Sequence, residues 1–347
     1  MRALTIDAHG ELDQLKYRED LPIPEITAPD EVRVRVRAAA LNHLDLWVVR
    51  GVPGVRIEPG WILGSDCAGV VDAVGPAVTS VHVGDHVVVN PGVSDRTCGF
   101  CRTGDNPLCL QYRILGEHRP GAMAEFVVVP TANVLAIPDH ISLTTAAAFP
   151  LATLTAWRMV VSRARVGPDD QVLIQGIGGG VALAALQITK LFGARAWVTS
   201  GSDAKLERAR ALGADETLNH RQVDVAREIR SRTGKRGVEI VIDCVGEATW
   251  NSSLGALGKR GRLVTCGGTS GPFVQTDVRR LFWNQWTIMG STMGSDAEFA
   301  SIVAEFRAGK LFPPIDSVHP LRDGRDAFAR LQSGEQFGKV VVEVDEA

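Results

Sequence analysis

The first third of the chain consists of short apolar runs separated by turn residues. Such runs lie at residues 31–36, 69–74, 86–89 and 124–129, with Pro, Gly and Asp between them. Runs of this length, bounded in this way, predict strands rather than helices. We therefore predict a small, mostly β domain in this part of the chain.

From residue 142 the pattern changes to alternating helices and strands. The helices are predicted at 151–162, 181–192, 202–212 and 248–257, and the strands at 171–175, 194–199, 238–244 and 261–266. Repeated strand–helix units indicate a parallel sheet with right-handed crossovers and helices on both faces. The second half is therefore predicted to be an α/β domain.

The chain beyond Gly294 is too short to form a third domain. It contains a predicted helix at 296–308 and extended segments at 315–319 and 339–344, and we expect these to complete the β-rich domain. The predicted division is a β-rich domain of residues 1–152 and 292–347 and an α/β domain of residues 153–291.

Composition and charge narrow the classes of function. The chain has 347 residues, with 37 Lys or Arg against 40 Asp or Glu, so its net charge is −3. A chain with this balance provides no electrostatic footprint for nucleic acid, which would need a basic face and a high pI. There is no run of about 18 apolar residues and no secretory pattern at the start. We therefore expect a cytoplasmic protein with a small-molecule substrate and neither a nucleic-acid nor a membrane partner.

A glycine-rich turn joins the first strand of the α/β domain to the following helix. It reads Gly-Ile-Gly-Gly-Gly-Val over residues 176–181. Backbone N–H groups at a helix N-terminus can hold a pyrophosphate, and glycine permits its close approach. Because the flanking strand and helix are both present, we favour a bound dinucleotide over a tight turn without a ligand. The candidate contacts are Gly176, Gly178, Gly179, Gly180 and Val181.

The end of the second strand bears on the choice between NAD and NADP. An acidic residue there would hold the ribose 2′-hydroxyl of NAD, but the chain has Ser-Gly-Ser at 200–202. The missing acid favours NADP(H), with Lys205 and His220 or Arg221 beside the 2′-phosphate. Lys205 could instead be a solvated helix residue, and Asp203 opposes a phosphate unless it points away. The candidate contacts are Ser200, Gly201, Ser202, Lys205 and His220.

Three cysteines and one acid are spaced like the ligands of a structural zinc ion. They form Asp95-x2-Cys98-x2-Cys101-x7-Cys109 in a turn-rich loop. Structural zinc sites are tetrahedral and take thiolate, imidazole or carboxylate ligands from closely spaced positions. A redox pair or idle thiols would leave the third cysteine and the acid unexplained, so one structural zinc ion per subunit is predicted.

These features together resemble the medium-chain dehydrogenase/reductase superfamily, which includes zinc-type alcohol dehydrogenases and quinone oxidoreductases. The matching stretches are residues 40–47, 63–66, 68–71, 83–85, the cysteine loop, the glycine turn and 338–341. The resemblance implies a GroES-like catalytic domain and a Rossmann cofactor domain, with the active-site cleft between them. The zinc loop of the family normally begins with cysteine, whereas this chain has Asp95.

The ligands of the family's catalytic zinc are missing from this sequence. Alcohol-oxidising members have a Cys, a His and a further Cys or acid in the segments that match Asn42, Ser65 and Leu151. A carboxamide, a hydroxyl and an aliphatic side chain do not hold a divalent ion. His43 and Asp66 are neighbours of two of these positions, but a shifted site using them would still lack a third ligand.

Without a Lewis acid, reduction of a conjugated acceptor is favoured over oxidation of an alcohol. A quinone or enone that accepts hydride spreads its charge to the oxygen as an enolate, which hydrogen bonds can stabilise. Asn42, Ser65 or His43 could donate such a bond and Asp45 could orient the loop, although each could equally serve local structure.

We therefore predict an NADPH-dependent reductase of quinones or α,β-unsaturated carbonyl compounds. An alcohol or aldehyde dehydrogenase with an unusual or zinc-free site is the alternative, and a cofactor-binding protein without catalysis is a third hypothesis.

Two expectations concern the far end of the α/β domain. The small residues Gly290, Ser291 and Thr292 follow an apolar strand, and we expect backbone groups there, with Gly267 at the preceding strand end, to contact the nicotinamide. The apolar segment 283–289 is predicted as an edge strand, which commonly pairs across a two-fold axis. A homodimer is therefore expected, with a tetramer left open.

Overall fold

The structure is a computed structural model that describes residues 1–344. Within this range it contains eighteen strands: β1 (Ala3–Ile6), β2 (Lys16–Arg18), β3 (Glu31–Ala40), β4 (Trp61–Ile62), β5 (Asp66–Val74), β6 (His86–Val89), β7 (Gly92–Val93), β8 (Arg113–Ile114), β9 (Phe126–Pro130), β10 (Val134–Ala136), β11 (Gln171–Ile174), β12 (Arg195–Ser200), β13 (Glu216–Asn219), β14 (Val238–Asp243), β15 (Leu257–Thr265), β16 (Thr287–Gly290), β17 (Ile315–Pro320) and β18 (Lys339–Glu343).

Eleven α-helices lie in the same range: α1 (His43–Arg50), α2 (Gly99–Arg102), α3 (Leu143–Ala147), α4 (Pro150–Trp157), α5 (Gly180–Leu191), α6 (Asp203–Ala211), α7 (Val225–Arg232), α8 (Glu247–Ala256), α9 (Val278–Asn284), α10 (Asp296–Arg307) and α11 (Gly324–Gln332). A π-helical segment, Arg158–Arg163, continues α4. Among residues 1–344, no helix has the length and apolar character needed to cross a membrane.

The first of two compact units comprises Met1–Ala152 and the chain from Gly294 onward. Its frame is a seven-stranded sheet in the order β10-β6-β5-β3-β18-β17, with β9 also paired to β3. Alternate apolar residues of β3 are fully buried, as expected for a strand with one face on a core. Strand β18 pairs with β3 in antiparallel fashion, so residues 339–343 are an integral part of this sheet.

The second unit is Thr153–Met293 and contains a six-stranded sheet. The order is β13-β12-β11-β14-β15-β16, and every neighbouring pair is parallel. Residues 172–174 of β11 and 240–242 of β14 are fully buried, because helices cover both faces of such a sheet. All carboxyl ends therefore lie along one edge, which confirms the predicted α/β fold with a doubly wound parallel sheet.

The boundary between the units falls slightly later than the sequence suggests. The second unit ends at Met293, whereas the predicted α/β domain ends at residue 291. The Ser291 N–H donates to the Thr265 carbonyl oxygen at 2.8 Å. This bond extends the pairing of β16 with β15 and holds the following residues to the second unit.

The predicted edge strand at 283–289 is wrong in its first half. Trp283 lies in the last turn of α9, and the edge strand β16 begins at Thr287. Asp277 caps α9 by accepting the Arg279 N–H at 2.9 Å, and Gln285 ends it in the left-handed conformation at φ 53°. The aspartate is a helix-start signal that outweighs the strand-like run of apolar residues after it.

Candidate functional site

The glycine-rich turn opens the helix that follows β11. Gly176 and Gly178 have φ values of +70° and +128°, which favour glycine. Gly179 is the N-cap of α5, and a Cβ there would meet no atom within 4 Å. The turn therefore presents the N-terminus of α5, which begins at Gly180 and Val181, with open space beside the backbone. This arrangement fits a diphosphate.

A buried hydrogen-bond network supports this turn from below. The Gly176 N–H donates to Thr199 Oγ1 at 3.1 Å, and Thr199 Oγ1 donates to Gln175 Oε1 at 2.7 Å. Gln175 Nε2 donates to Ser253 Oγ at 3.0 Å, and Ser253 Oγ donates to Asp243 Oδ2 at 2.7 Å. The network ties the turn to the ends of three strands and restricts its conformation.

The other predicted cofactor contacts lie along the same edge of the sheet. Strand β12 ends at Ser200, β15 at Thr265 just before Gly267, and β16 at Gly290, followed by Ser291 and Thr292. Ser291 Oγ is buried and has no hydrogen-bond partner within the described part of the chain. A buried hydroxyl of this kind is available to a ligand that binds at this edge.

Two basic side chains crowd the position where NAD-binding units carry an acid. A Cβ on Gly201 would lie 2.7 Å from Arg221 Nε and 3.0 Å from His220 Nε2. Burial and the charge of Arg221 lower the pKa of His220. The Asp203 carboxylate is engaged by two neutral amides, because it accepts bonds from Asn219 Nδ2 at 2.7 Å and Gln222 Nε2 at 3.0 Å. The edge is therefore cationic at this position.

Helix α6 begins beside these basic residues. Ser202 is its N-cap and accepts the Lys205 N–H at 3.4 Å, while the Ser202 N–H donates to Ser200 Oγ at 3.1 Å. Both serines thus hold the loop in shape. The half-buried Lys205 lies in the first turn of the helix, four residues after Gly201 and on a different element from the basic pair.

In the first unit, the segments that carry the family's catalytic zinc ligands converge on Asp66. Its carboxylate accepts bonds from Lys339 Nζ at 2.9 Å, Asn42 Nδ2 at 2.9 Å and the Leu151 N–H at 2.7 Å. Lys339 Nζ also donates to Asn42 Oδ1 at 2.6 Å. The cation that neutralises this cluster is an ammonium group, and the amide, the hydroxyl of Ser65 and the lysine offer no ligand set for a divalent metal.

The remaining predicted catalytic residues surround this cluster. Ser65 is buried and its Oγ donates to the Leu115 carbonyl oxygen at 2.8 Å, so that proton is already engaged. His43 is the first residue of α1, and burial and the charge of Lys339 lower its pKa. The neutral imidazole is therefore favoured there.

Asp45 lies next to Asn42, the candidate hydrogen-bond donor, and supports its backbone. It is buried, and its Oδ2 accepts the backbone N–H of Asn42 at 2.7 Å in a capping box. Burial is the largest influence on its carboxyl group and raises its pKa to about 7. Asp45 thereby fixes the start of α1 and the backbone that carries Asn42.

The cysteine loop brings its four predicted ligands together. One donor atom from each of Asp95, Cys98, Cys101 and Cys109 lies within 4.8 Å of the others. Cys98 Sγ and Cys101 Sγ are 3.6 Å apart, close to the roughly 3.8 Å that tetrahedral Zn–S bonds of about 2.3 Å require. Backbone N–H bonds from Cys98 and Thr97 hold the pKa of Asp95 well below its usual range. The loop therefore fits a tetrahedral zinc ion.

Two protein-family models match the chain. Residues 28–139 match the alcohol dehydrogenase GroES-like domain, and residues 180–308 match the zinc-binding dehydrogenase domain. A zinc-type alcohol dehydrogenase-like protein of Schizosaccharomyces pombe is 32% identical, over 99% of this chain and 100% of its own length. The chain belongs to the medium-chain dehydrogenase/reductase superfamily. It is accordingly a nicotinamide-dependent oxidoreductase.

Other members of the superfamily differ in the reactions that their names describe. The crystal structure of an NAD-dependent alcohol dehydrogenase superposes with a TM-score of 0.95 at 44% identity, covering 99% of this chain and 100% of that one. The human quinone oxidoreductase is 26% identical over 99% of this chain and 97% of its own length. Membership therefore leaves the substrate class open.

Sequence reasoning missed the central part of the cluster in the first unit. Lys339 and Asp66 are both absent from the predicted site residues, and Asp66 enters only as a ligand of a shifted metal site that would lack a third ligand. One signal was available: Lys339 opens the run Lys-Val-Val-Val of β18, where a charged residue beside buried valines needs a buried partner. The identity of that partner depends on sheet pairing, which the sequence does not state.

Proposed function

We propose that this oxidoreductase is an NADPH-dependent reductase of quinones or α,β-unsaturated carbonyl compounds that works without a catalytic metal. The observation that carries the proposal is the cluster of Asn42, Asp66 and Lys339, in which the ammonium group satisfies the buried carboxylate. The three side chains of this cluster include no thiolate and no imidazole. The nearby Ser65 hydroxyl donates to the Leu115 carbonyl oxygen. A localised alkoxide would have no Lewis acid at this position.

Conjugated acceptors suit a site built from hydrogen-bond donors. The nicotinamide cofactor supplies the hydride when it is bound. Negative charge then develops on the substrate oxygen, where an amide N–H can stabilise it. We assign this task to Asn42, because one Nδ2 proton is used by Asp66 and a carboxamide has a second. His43, whose pKa is lowered, is less suited to donate as an imidazolium.

The same proposal assigns NADP(H) as the cofactor. Support comes from the Arg221 guanidinium beside Gly201, with the His220 imidazole next to it, and from the engagement of the Asp203 carboxylate by Asn219 and Gln222. A 2′-phosphate would meet the Arg221 guanidinium there, and the Asp203 carboxylate is already hydrogen-bonded by two amides. Lys205 is proposed as a further contact.

We also propose a structural zinc ion in the loop of Asp95, Cys98, Cys101 and Cys109. Support comes from the mutual distances of the four donor atoms and from a carboxylate that is held ionised by backbone N–H groups. A closed set of four protein ligands leaves no position for substrate. This ion would stabilise the loop without entering the reaction.

A homodimer is proposed through the free edge of the second unit. β16 is the last strand of its sheet, and nearby Phe282 and Trp283 are 65% and 75% exposed. An apolar patch beside an unpaired strand edge favours association with a second copy of the chain across a two-fold axis.

Steady-state assays test the reaction. With the purified protein, we expect oxidation of NADPH in the presence of a quinone or an enone such as cyclohexenone, and slower oxidation of NADH. The second candidate is an alcohol dehydrogenase, which the 44% identical structure favours. Alcohol-dependent reduction of NAD⁺ or NADP⁺ without turnover of quinones or enones would establish that candidate. Tight NADPH binding without turnover in either assay would refute both.

A further inference from the structure

Lys339 places a buried ammonium group against the side chain that is proposed to bind the substrate oxygen. Its side chain is 4% exposed and that of Asp66 is 0% exposed. Nζ lies 2.6 Å from Asn42 Oδ1 and 2.9 Å from Asp66 Oδ2. Burying a charge is costly unless it is paired and hydrogen-bonded. A lysine used only for packing would be better replaced here by an apolar residue.

The sheet of the first unit holds these three groups in register. Ala40 of β3 lies opposite Val341 of β18 on one side and opposite Asp66 of β5 on the other. Lys339 begins β18, and Asn42 follows β3 by two residues. Three adjacent strands therefore deliver the ammonium, the carboxamide and the carboxylate to one end of the sheet, on backbone that cannot shift independently.

These contacts give the Asn42 carboxamide a single orientation. Its oxygen accepts from a cation and its nitrogen donates to an anion, so flipping the amide would set Nδ2 against the ammonium and Oδ1 against the carboxylate. Hydrogen bonds in series polarise one another. An ammonium on the amide oxygen withdraws electron density from the nitrogen, which makes the second Nδ2–H a stronger donor.

We propose that Lys339 is a positioning residue that acts through Asn42, holding and polarising the carboxamide so that its second Nδ2–H donates to the oxygen of the substrate. This inference rests on the proposed reduction of quinones or enones. It assigns to a lysine a share of the charge stabilisation that a metal gives in zinc-dependent chemistry, transmitted through one amide rather than by direct coordination.

The kinetic test measures how far kcat falls when the buried ion pair is removed, once with Asn42 present and once in the Asn42→Ala background. Because Lys339→Met alone would leave Asp66 buried without its cation, the main variant is the neutral pair Lys339→Met with Asp66→Asn. We expect kcat for enone reduction to fall about tenfold, as for replacing a charge-assisted bond by a neutral one, with the KM for NADPH little changed. In the Asn42→Ala background, the same pair of changes should reduce kcat no further.

Matched variants separate this effect from general damage. Lys339→Arg keeps the charge and should retain more activity than the neutral pair. Lys16→Met removes a surface lysine that pairs with Asp7 and should leave kcat unchanged. A neutral pair with wild-type kcat would overturn the proposal. So would a loss of kcat that is equally large with Asn42 present and in the Asn42→Ala background, since Lys339 would then act by another route.

A readout independent of turnover distinguishes this inference from the proposed function. In protein labelled with ¹⁵N-asparagine, the side-chain amide of Asn42 is assigned by its disappearance in Asn42→Ala. Polarisation predicts that the Nδ2 proton not bonded to Asp66 resonates downfield in the wild type and shifts upfield in the neutral pair. If no quinone or enone is reduced, the proposed function fails, and the amide shift still decides the interaction. Identical shifts in both proteins would refute it.

Discussion

Replacing Asp45 by asparagine is expected to remove part of the pH dependence of the unfolding free energy. Asp45 is 1% exposed and accepts the Asn42 N–H at 2.7 Å, and the Gly64 N–H also donates to it. Asparagine has nearly the same volume and keeps one acceptor for these two donors. The substitution therefore removes the titrating charge and costs one hydrogen bond, whose loss does not depend on pH.

The magnitude follows from the change in pKa. Folding raises the pKa of Asp45 from 3.8 to about 7, chiefly because burial disfavours the carboxylate. Its contribution to stability is therefore complete below pH 3.8 and is lost as the pH rises through 7. For this one group, the loss between pH 5 and pH 8 is about 2.5 kcal/mol, from a total of about 4 kcal/mol for the whole shift.

The assay compares unfolding free energies of the two proteins at both pH values. Urea titrations of wild type and Asp45→Asn should show the variant gaining about 2.5 kcal/mol relative to wild type between pH 5 and pH 8. Other titrating groups cancel in this difference. Asp72→Asn is the matched control, since Arg33 and Arg35 hold the pKa of Asp72 below its usual value, and its difference from wild type should not change in this range.

A constant difference between wild type and Asp45→Asn from pH 5 to pH 8 would refute this reasoning. It would mean that Asp45 stays ionised in the folded protein at pH 5, so that the charge of Lys339 outweighs the burial of the carboxyl group. A parallel change in Asp72→Asn would instead indicate that the shift comes from general electrostatics of the unit.

Three further predictions concern the metal loop, the cofactor and the assembly. Mild chelation, or Asp95→Ala, should lower the melting temperature by roughly 5–10 °C before enone reduction is lost, and elemental analysis should find one zinc per subunit. Two zinc ions per subunit, or inactivation without a change in melting temperature, would contradict this prediction. In calorimetric titrations, Arg221→Ala, and to a smaller extent Lys205→Ala, should raise the Kd for NADPH roughly 10–100-fold with little effect on the Kd for NADH. An equal loss of affinity for both cofactors would exclude a contact with the 2′-phosphate. Trp283→Glu should shift the light-scattering mass from dimer to monomer, and a monomeric wild type at high concentration would exclude the proposed dimer.

The local geometry of the glycine turn, the strand ends and the cysteine loop could be predicted closely. The glycine turn, the small residues after the strands and the cysteine loop each depend on spacings of a few residues, so their geometry is largely set by backbone conformation and loop length. Elsewhere two local signals indicated different structures. The apolar run after Asp277 suggested a strand, but Asp277 caps a helix, and Trp283 lies in that helix.

The parts that depend on pairing of distant strands were decided by the tertiary structure alone. Asp66 and Lys339 are 273 residues apart, and only the placement of β18 and β5 on either side of β3 brings their charges into contact. The sequence by itself excluded a set of zinc ligands at Asn42, Ser65 and Leu151, because residue type determines which atoms can coordinate a metal. It could not say that Asp66 pairs there with the Lys339 ammonium group, because burial and contact are properties of the folded chain.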